Sequence, residues 1–129
     1  MINRTRVPEF MLYIDTLLAE IQIKKLTAVI CLIYCERLKN RLPSDAKGTS
    51  DTIHRIFTAS LLLACKYTTE PYNNRAVSKA SKIYSIRDIN NMEFEFLTLI
   101  DYEIWITKED ICSFMTENSE GLYIIGELN

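Results

Sequence analysis

Only three glycines and three prolines occur in 129 residues. That scarcity removes most points where a chain turns tightly or breaks a helix, and it favours helices with short connections. Long apolar runs are missing too. The longest, Ala28–Cys35, is far short of a bilayer span. Neither charge sign dominates: 15 Lys and Arg against 17 Asp and Glu leave a formal charge of −2. No global pull toward nucleic acid or an anionic membrane is therefore expected. Met1–Phe10 lacks the apolar centre and small-residue cleavage site of a secretory leader.

What is present suits a soluble globular protein. Hydrophobic residues make up 48% and charged residues 25%, which excludes disorder. The length fits one domain over 1–129, with a core of about 7–117 and a tail at 118–129. Cys31, Cys35, Cys65 and Cys112 fall within expected helices rather than loops. They read as reduced, buried thiols, and the expected setting is intracellular, nuclear or cytoplasmic.

Apolar residues Val7, Phe10, Met11, Ile14, Leu17, Leu18 and Ile21 recur at three and four, an amphipathic helix opened near Pro8. A second helix from Leu26 to Leu38 is apolar on nearly every side over 28–35, so neighbours must enclose it. Lys39–Ser50 reads as a polar loop, with Ser50 or Asp51 capping a third helix at about 52–67. That helix is again apolar almost all round, and Pro71 stops it. A short helix follows at Arg75–Tyr84.

Ser85-Ile86-Arg87-Asp88 starts a fifth helix with Ile86, Ile89, Met92, Phe96 and Ile100 on one side. Thr107-Lys108-Glu109-Asp110 repeats the signature ahead of Ile111, Phe114 and Met115. No segment alternates with period two for long enough to be a strand. The expectation is an all-α bundle with one or two central helices, and a short apolar tail from Gly121 able to dock back on it.

Two stretches stand out: LLLACKY at 61–67 and NMEFEFLTLIDYEI at 91–104. Each sets one charge, Lys66 or Glu93, on an otherwise apolar helical surface. Glu93 and Leu97 are four apart and share a helix face. Tyr102 and Ile104 lie just past the helix end and extend that surface. A fixed cation and anion on an apolar face suit docking by a partner helix, whose main-chain or polar groups they would satisfy. They do not suit a small-molecule pocket.

This helix order, with LLLACKY closing the third helix and NMEFEFLTLIDYEI on the fifth, resembles the cyclin box. YCERL at 34–38 looks like the family's Tyr-Ile-Asp-Arg segment. Ile53-His54-Arg55 ahead of an apolar run, then Pro71-Tyr72-Asn73-Asn74 and a Lys-rich short helix, look like the small phosphate-responsive (PCL-like) cyclins of yeast. The resemblance covers about 7–117. It implies a five-helix bundle around a central third helix, plus a short C-terminal helix. It also implies a regulatory subunit that activates a cyclin-dependent kinase by binding its small lobe. By position, Lys66 and Glu93 match residues that bond kinase backbone near its C-helix. Tyr67, Leu97, Tyr102 and Ile104 match apolar interface positions.

The chain also departs from the family pattern. FMLYIDTLL at 10–18 replaces the arginine-containing motif that builds the Arg-x-Leu peptide groove. Glu36 stands where an aspartate is usual, with no first-helix arginine, so another cation such as Arg55 or one near Arg37 is the expected partner. Thr68 and Thr69 replace acidic residues. Neither a second cyclin box nor a long tail is expected.

Other residues invite sharper readings. His54, the one histidine, titrates near neutrality but has no nucleophile partner in sequence, and a structural hydrogen bond near the helix start is expected. Cys31 and Cys35, four apart, would need two further ligands for zinc; core thiols are expected. Arg75, Lys79, Lys82 and Arg87 form a basic strip that reads as a solvated face. A cyclin-fold transcription or scaffold module without a kinase partner is the alternative, disfavoured by one repeat and by net charge. No nucleophile–base pair or Gly-rich phosphate loop points to an enzyme. Neither metal, cofactor, small-molecule ligand, membrane nor direct nucleic-acid contact is expected.

Overall fold

A computed structural model of the chain describes residues 7–118. Six helices follow one another: α1 Phe10–Glu20, α2 Lys25–Arg41, α3 Thr52–Tyr67, α4 Asn74–Ser81, α5 Ile86–Leu99 and α6 Lys108–Glu117. Among the described residues there is no strand. The apolar tail from Gly121 lies outside them.

The third helix is the centre, as its all-round apolar pattern requires. Every residue from Thr58 to Cys65 is buried, and α3 meets α1, α2, α4 and α5. Small residues at Thr58, Ala59 and Ser60 permit close approach, and their hydroxyls are bonded. Tyr13 Oη and Thr58 Oγ1 lie 2.6 Å apart, and Thr58 Oγ1 donates to the His54 carbonyl at 2.6 Å. Ser60 Oγ donates to the Phe57 carbonyl and meets Cys31 Sγ at 3.3 Å and Cys35 Sγ at 3.1 Å.

The flanking helices run α2, α5, α4, α1 around α3, and α6 packs on α2. Helices α1 and α2 do not pack on one another. This corrects the expectation that α2 is enclosed over 28–35: Leu32 and Cys35 are only half-buried and line an open groove between α1 and α2. The thiols need a correction as well. Cys31 and Cys65 are buried, Cys35 is half-buried and Cys112 is exposed, because α6 has a single helical neighbour.

Capping residues fix most helix starts. Ser85 with Asp88, and Thr107 with Asp110, form complete capping boxes. Helix α1 is capped by the Glu9 carboxylate, which accepts from Met11 and Leu12 N–H. Asp51 occupies the N-cap of α3 without a side-chain cap bond. Its carboxylate instead accepts from Tyr84 Oη at 2.8 Å and Thr49 Oγ1 at 2.9 Å. Helix α2 is capped from a distance: Glu70 Oε2 accepts from Lys24 N–H at 3.0 Å and Thr27 Oγ1 at 3.1 Å. Tyr72 Oη holds the same linker, accepting from Gln22 N–H and donating to its carbonyl.

With so little glycine, left-handed positions fall to other residues: Thr69, Lys82, Asp101 and Tyr102. After α3, Glu70 N–H donates to Cys65 O at 2.8 Å and Thr69 N–H to Lys66 O at 3.3 Å, a Schellman closure with a β-branched residue where glycine is usual. Thr69 has φ 59°, and its hydroxyl bonds only the adjacent Thr68 carbonyl. Thr69→Gly is therefore expected to stabilise the domain by about 1 kcal/mol. A melting temperature about 4 °C higher would register this gain, and a fall would contradict it.

The core also fixes an alkaline limit. Burial pushes the Tyr13 phenol up to about 12 against a weaker opposing bond to Thr58. Burial, then the Glu70 charge, pushes the Cys65 thiol up to about 12. In the unfolded chain such groups ionise near about 10 and 8.5. The fold prefers their neutral forms, so their stabilisation is whole below about pH 8.5 and lost as pH rises toward about 12. Urea midpoints are expected to hold to about pH 8 and fall beyond about pH 9; a flat profile through about pH 11 would contradict this.

Candidate functional site

Lys66 lies in the last turn of α3 and Glu93 midway along α5, two helices that pack on each other. The packing brings the side chains together: Lys66 Nζ is 2.6 Å from Glu93 Oε2. Glu93 keeps 17% of its side chain exposed and Lys66 45%. The anion is thus seated and the cation presented. The other carboxylate oxygen, Oε1, accepts from Asn74 Nδ2 at 3.0 Å at the start of α4. Three helices meet at one carboxylate.

Leu97, one turn beyond Glu93, is half-buried. Helix α5 then closes as α3 does: Tyr102 N–H donates to Leu97 O at 2.8 Å and Asp101 N–H to Thr98 O at 3.0 Å. The stretch 91–104 therefore ends its helix at Leu99 and continues through a turn at 100–102 into a segment without regular secondary structure. Tyr102 and Ile104 stand exposed on that segment, beyond the helix end as their position suggests.

Side chains from α2 and α3 fasten the segment. Tyr34 Oη donates to the Ile104 carbonyl at 2.8 Å. The Arg37 guanidinium donates to the carbonyls of Glu103 at 2.6 Å and Trp105 at 2.9 Å, and to Asp110 Oδ2 at 3.2 Å. A bond from the Thr107 backbone, with the Arg37 charge adding to it, holds the Asp110 carboxyl below its ordinary range. Tyr67 turns its hydroxyl to the same strap, accepting from Ile106 N–H at 3.0 Å. Its ring is half-buried and its hydroxyl serves the fold.

All six residues singled out in the sequence, Lys66, Tyr67, Glu93, Leu97, Tyr102 and Ile104, thus lie along α3, α5 and the strap that Tyr67 fastens. Sequence reasoning missed Asn74, Tyr34 and Arg37 as supports. It also missed two exposed aromatics, Phe94 and Trp105, at 64% and 74% exposure. Phe94 carries a readable signal, since it falls outside the inward stripe of Met92 and Phe96.

The remaining candidates have structural employment. Buried His54 has Nε2 2.7 Å from the Pro8 carbonyl, the kind of bond expected, with its ring against Phe10 and Tyr13. Among the described residues no group of three His, Cys, Asp or Glu can hold a metal. Arg75, Lys79, Lys82 and Arg87 are exposed, and Lys82 pairs with Glu20 at 2.5 Å. Arg55 does not serve Glu36: it pairs with Asp51 and Glu95 and lies over the Tyr84 ring. No described helix is long and apolar enough to cross a membrane.

A central helix wrapped by four others, with a cation–anion pair where α3 packs on α5, defines an all-helical module of the cyclin-box type. Residues 3–105 match the model of the cyclin N-terminal domain, and the chain belongs to the cyclin family. It is 33% identical over 109 residues to PHO85 cyclin-1 of Saccharomyces cerevisiae, covering 83% of this chain and 39% of that protein. PHO85 cyclin-9 of the same yeast is 27% identical over 85% of this chain and 37% of its own length. Cyclin-U4-1 of Arabidopsis thaliana is 25% identical over 68% of this chain and 43% of its own. The chain spans about two fifths of the length of these curated relatives. No solved structure matches.

Proposed function

We propose that this chain is a regulatory cyclin subunit that binds the small lobe of a cyclin-dependent Ser/Thr kinase beside its C-helix and activates it. The observation that carries the reading is the Lys66–Glu93 pair at 2.6 Å, with Leu97 one turn further along α5 and Tyr102 and Ile104 exposed beyond its end. An amphipathic kinase helix lays its apolar side on that strip, and Lys66 bonds main-chain carbonyls at its end. Docking holds the C-helix inward, so that the kinase Lys–Glu ion pair and metal-binding Asp assemble for phosphoryl transfer. Relatives named as PHO85 cyclins support a kinase of the class they are named for.

Mixing purified chain with that kinase tests the proposal by complex formation on a sizing column and by phosphate transfer to a peptide. A stoichiometric complex with raised activity is expected. Separate elution with unchanged activity would sink the proposal.

A further inference from the structure

We infer that Asn74 is a positioning residue of the docking pair, locking the Glu93 carboxylate so that Lys66 is presented to the partner at a fixed place. The inference rests on the kinase-docking reading and extends it to α4. Both oxygens of Glu93 are engaged, Oε2 by Lys66 at 2.6 Å and Oε1 by Asn74 Nδ2 at 3.0 Å. The second amide proton of Asn74 goes to Asn90 Oδ1 at 2.6 Å, one turn before Glu93 on the same face of α5. Two acceptors around one nitrogen fix the orientation of the amide.

Glu93 is mostly shielded from water, at 17% exposure, so an oxygen losing its donor there is strongly disfavoured. Without Asn74 the carboxylate gains by swinging outward, and Lys66 follows on its flexible stem. The ammonium has three donors and spends one on Glu93. The other two serve a partner's carbonyls only while the anion stays put.

Asn74 is itself held by its surroundings. It is the first residue of α4, whose N-cap Asn73 accepts from Ala76 N–H at 2.9 Å. The preceding loop is fastened to the α1–α2 linker through Glu70 and Tyr72. Loop, linker and docking pair are therefore mechanically one unit.

Kinase affinities of Asn74→Ala, Asn74→Asp, Lys66→Ala and Asn74→Ala/Lys66→Ala, with melting temperatures, test the assignment. Asn74→Asp keeps the size of the side chain and removes the donor. A carboxylate in the first turn suits the helix dipole, so α4 is kept or strengthened, yet it faces Glu93 with like charge. Both Asn74 variants are expected to weaken binding about tenfold, with melting curves showing each still fully folded at the assay temperature. On the Lys66→Ala background Asn74→Ala should add less than about twofold.

Full additivity, or wild-type affinity for both Asn74 variants while Lys66→Ala binds poorly, overturns the inference and leaves docking intact. Wild-type affinity for Lys66→Ala overturns the docking reading, and this inference with it.

Discussion

Lys66→Glu is expected to weaken kinase binding at least about 100-fold while the domain stays folded. The two effects differ because the docking proposal gives the pair two roles. As a fold contact it joins a 45% exposed cation to Glu93, and solvent screening limits such pairs to about 1 kcal/mol. The melting temperature should fall by about 5 °C. As a docking contact the cation is desolvated when the partner arrives, and losing it leaves the partner's carbonyls buried without donors. A second carboxylate at 66 also repels Glu93. The double variant Lys66→Glu/Glu93→Lys re-forms the pair and should recover part of the melting temperature, short of wild type because a lysine at 93 cannot accept from Asn74, without recovering affinity. Wild-type affinity in the single variant defeats the docking role; recovery of affinity by the double variant reduces the pair to a prop.

Leu62→Ala has the opposite signature. Leu62 is 0% exposed in the centre of α3, where surrounding helices leave little room to collapse. A truncation there costs about 3–5 kcal/mol out of a total of about 5–15 kcal/mol for a domain. Thermal unfolding should begin about 20 °C lower. Kinase binding should fall only in proportion to the unfolded fraction. Phe94→Ala, at 64% exposure, is the contrast and should shift stability by less than about 0.5 kcal/mol. A Leu62→Ala midpoint within about 5 °C of wild type would mean that α3 is not the enclosed centre described.

Much of this architecture was legible in the chain. The all-round apolar pattern of 56–65 says that α3 is central, and the two capping boxes locate the starts of α5 and α6 within a residue. Lys66 and Glu93 were legible through spacing joined to family resemblance; either alone is an ordinary helix charge. What was not legible depends on partners remote in sequence. Arg37 grips carbonyls 66 and 68 residues away, and a carbonyl carries no residue identity for a pattern to detect. Asn74 looks like one more polar loop residue until α5 is laid beside it. Helix α2 looks enclosed in sequence because periodicity reports how apolar a face is, not whether a neighbour arrives to cover it. The left-handed closures at Thr69 and Asp101 were hidden for the opposite reason: the usual glycine signal is absent.

The strap between α5 and α6 has an evolutionary corollary. Tyr34 and Arg37 grip the main-chain oxygens of residues 103, 104 and 105, and every amino acid supplies such an oxygen. Side chains along the strap are therefore interchangeable as far as its anchorage goes. Under the docking proposal, swapping Tyr102, Ile104 or Trp105 retunes which partner the outer edge prefers while the anchors beneath stay the same.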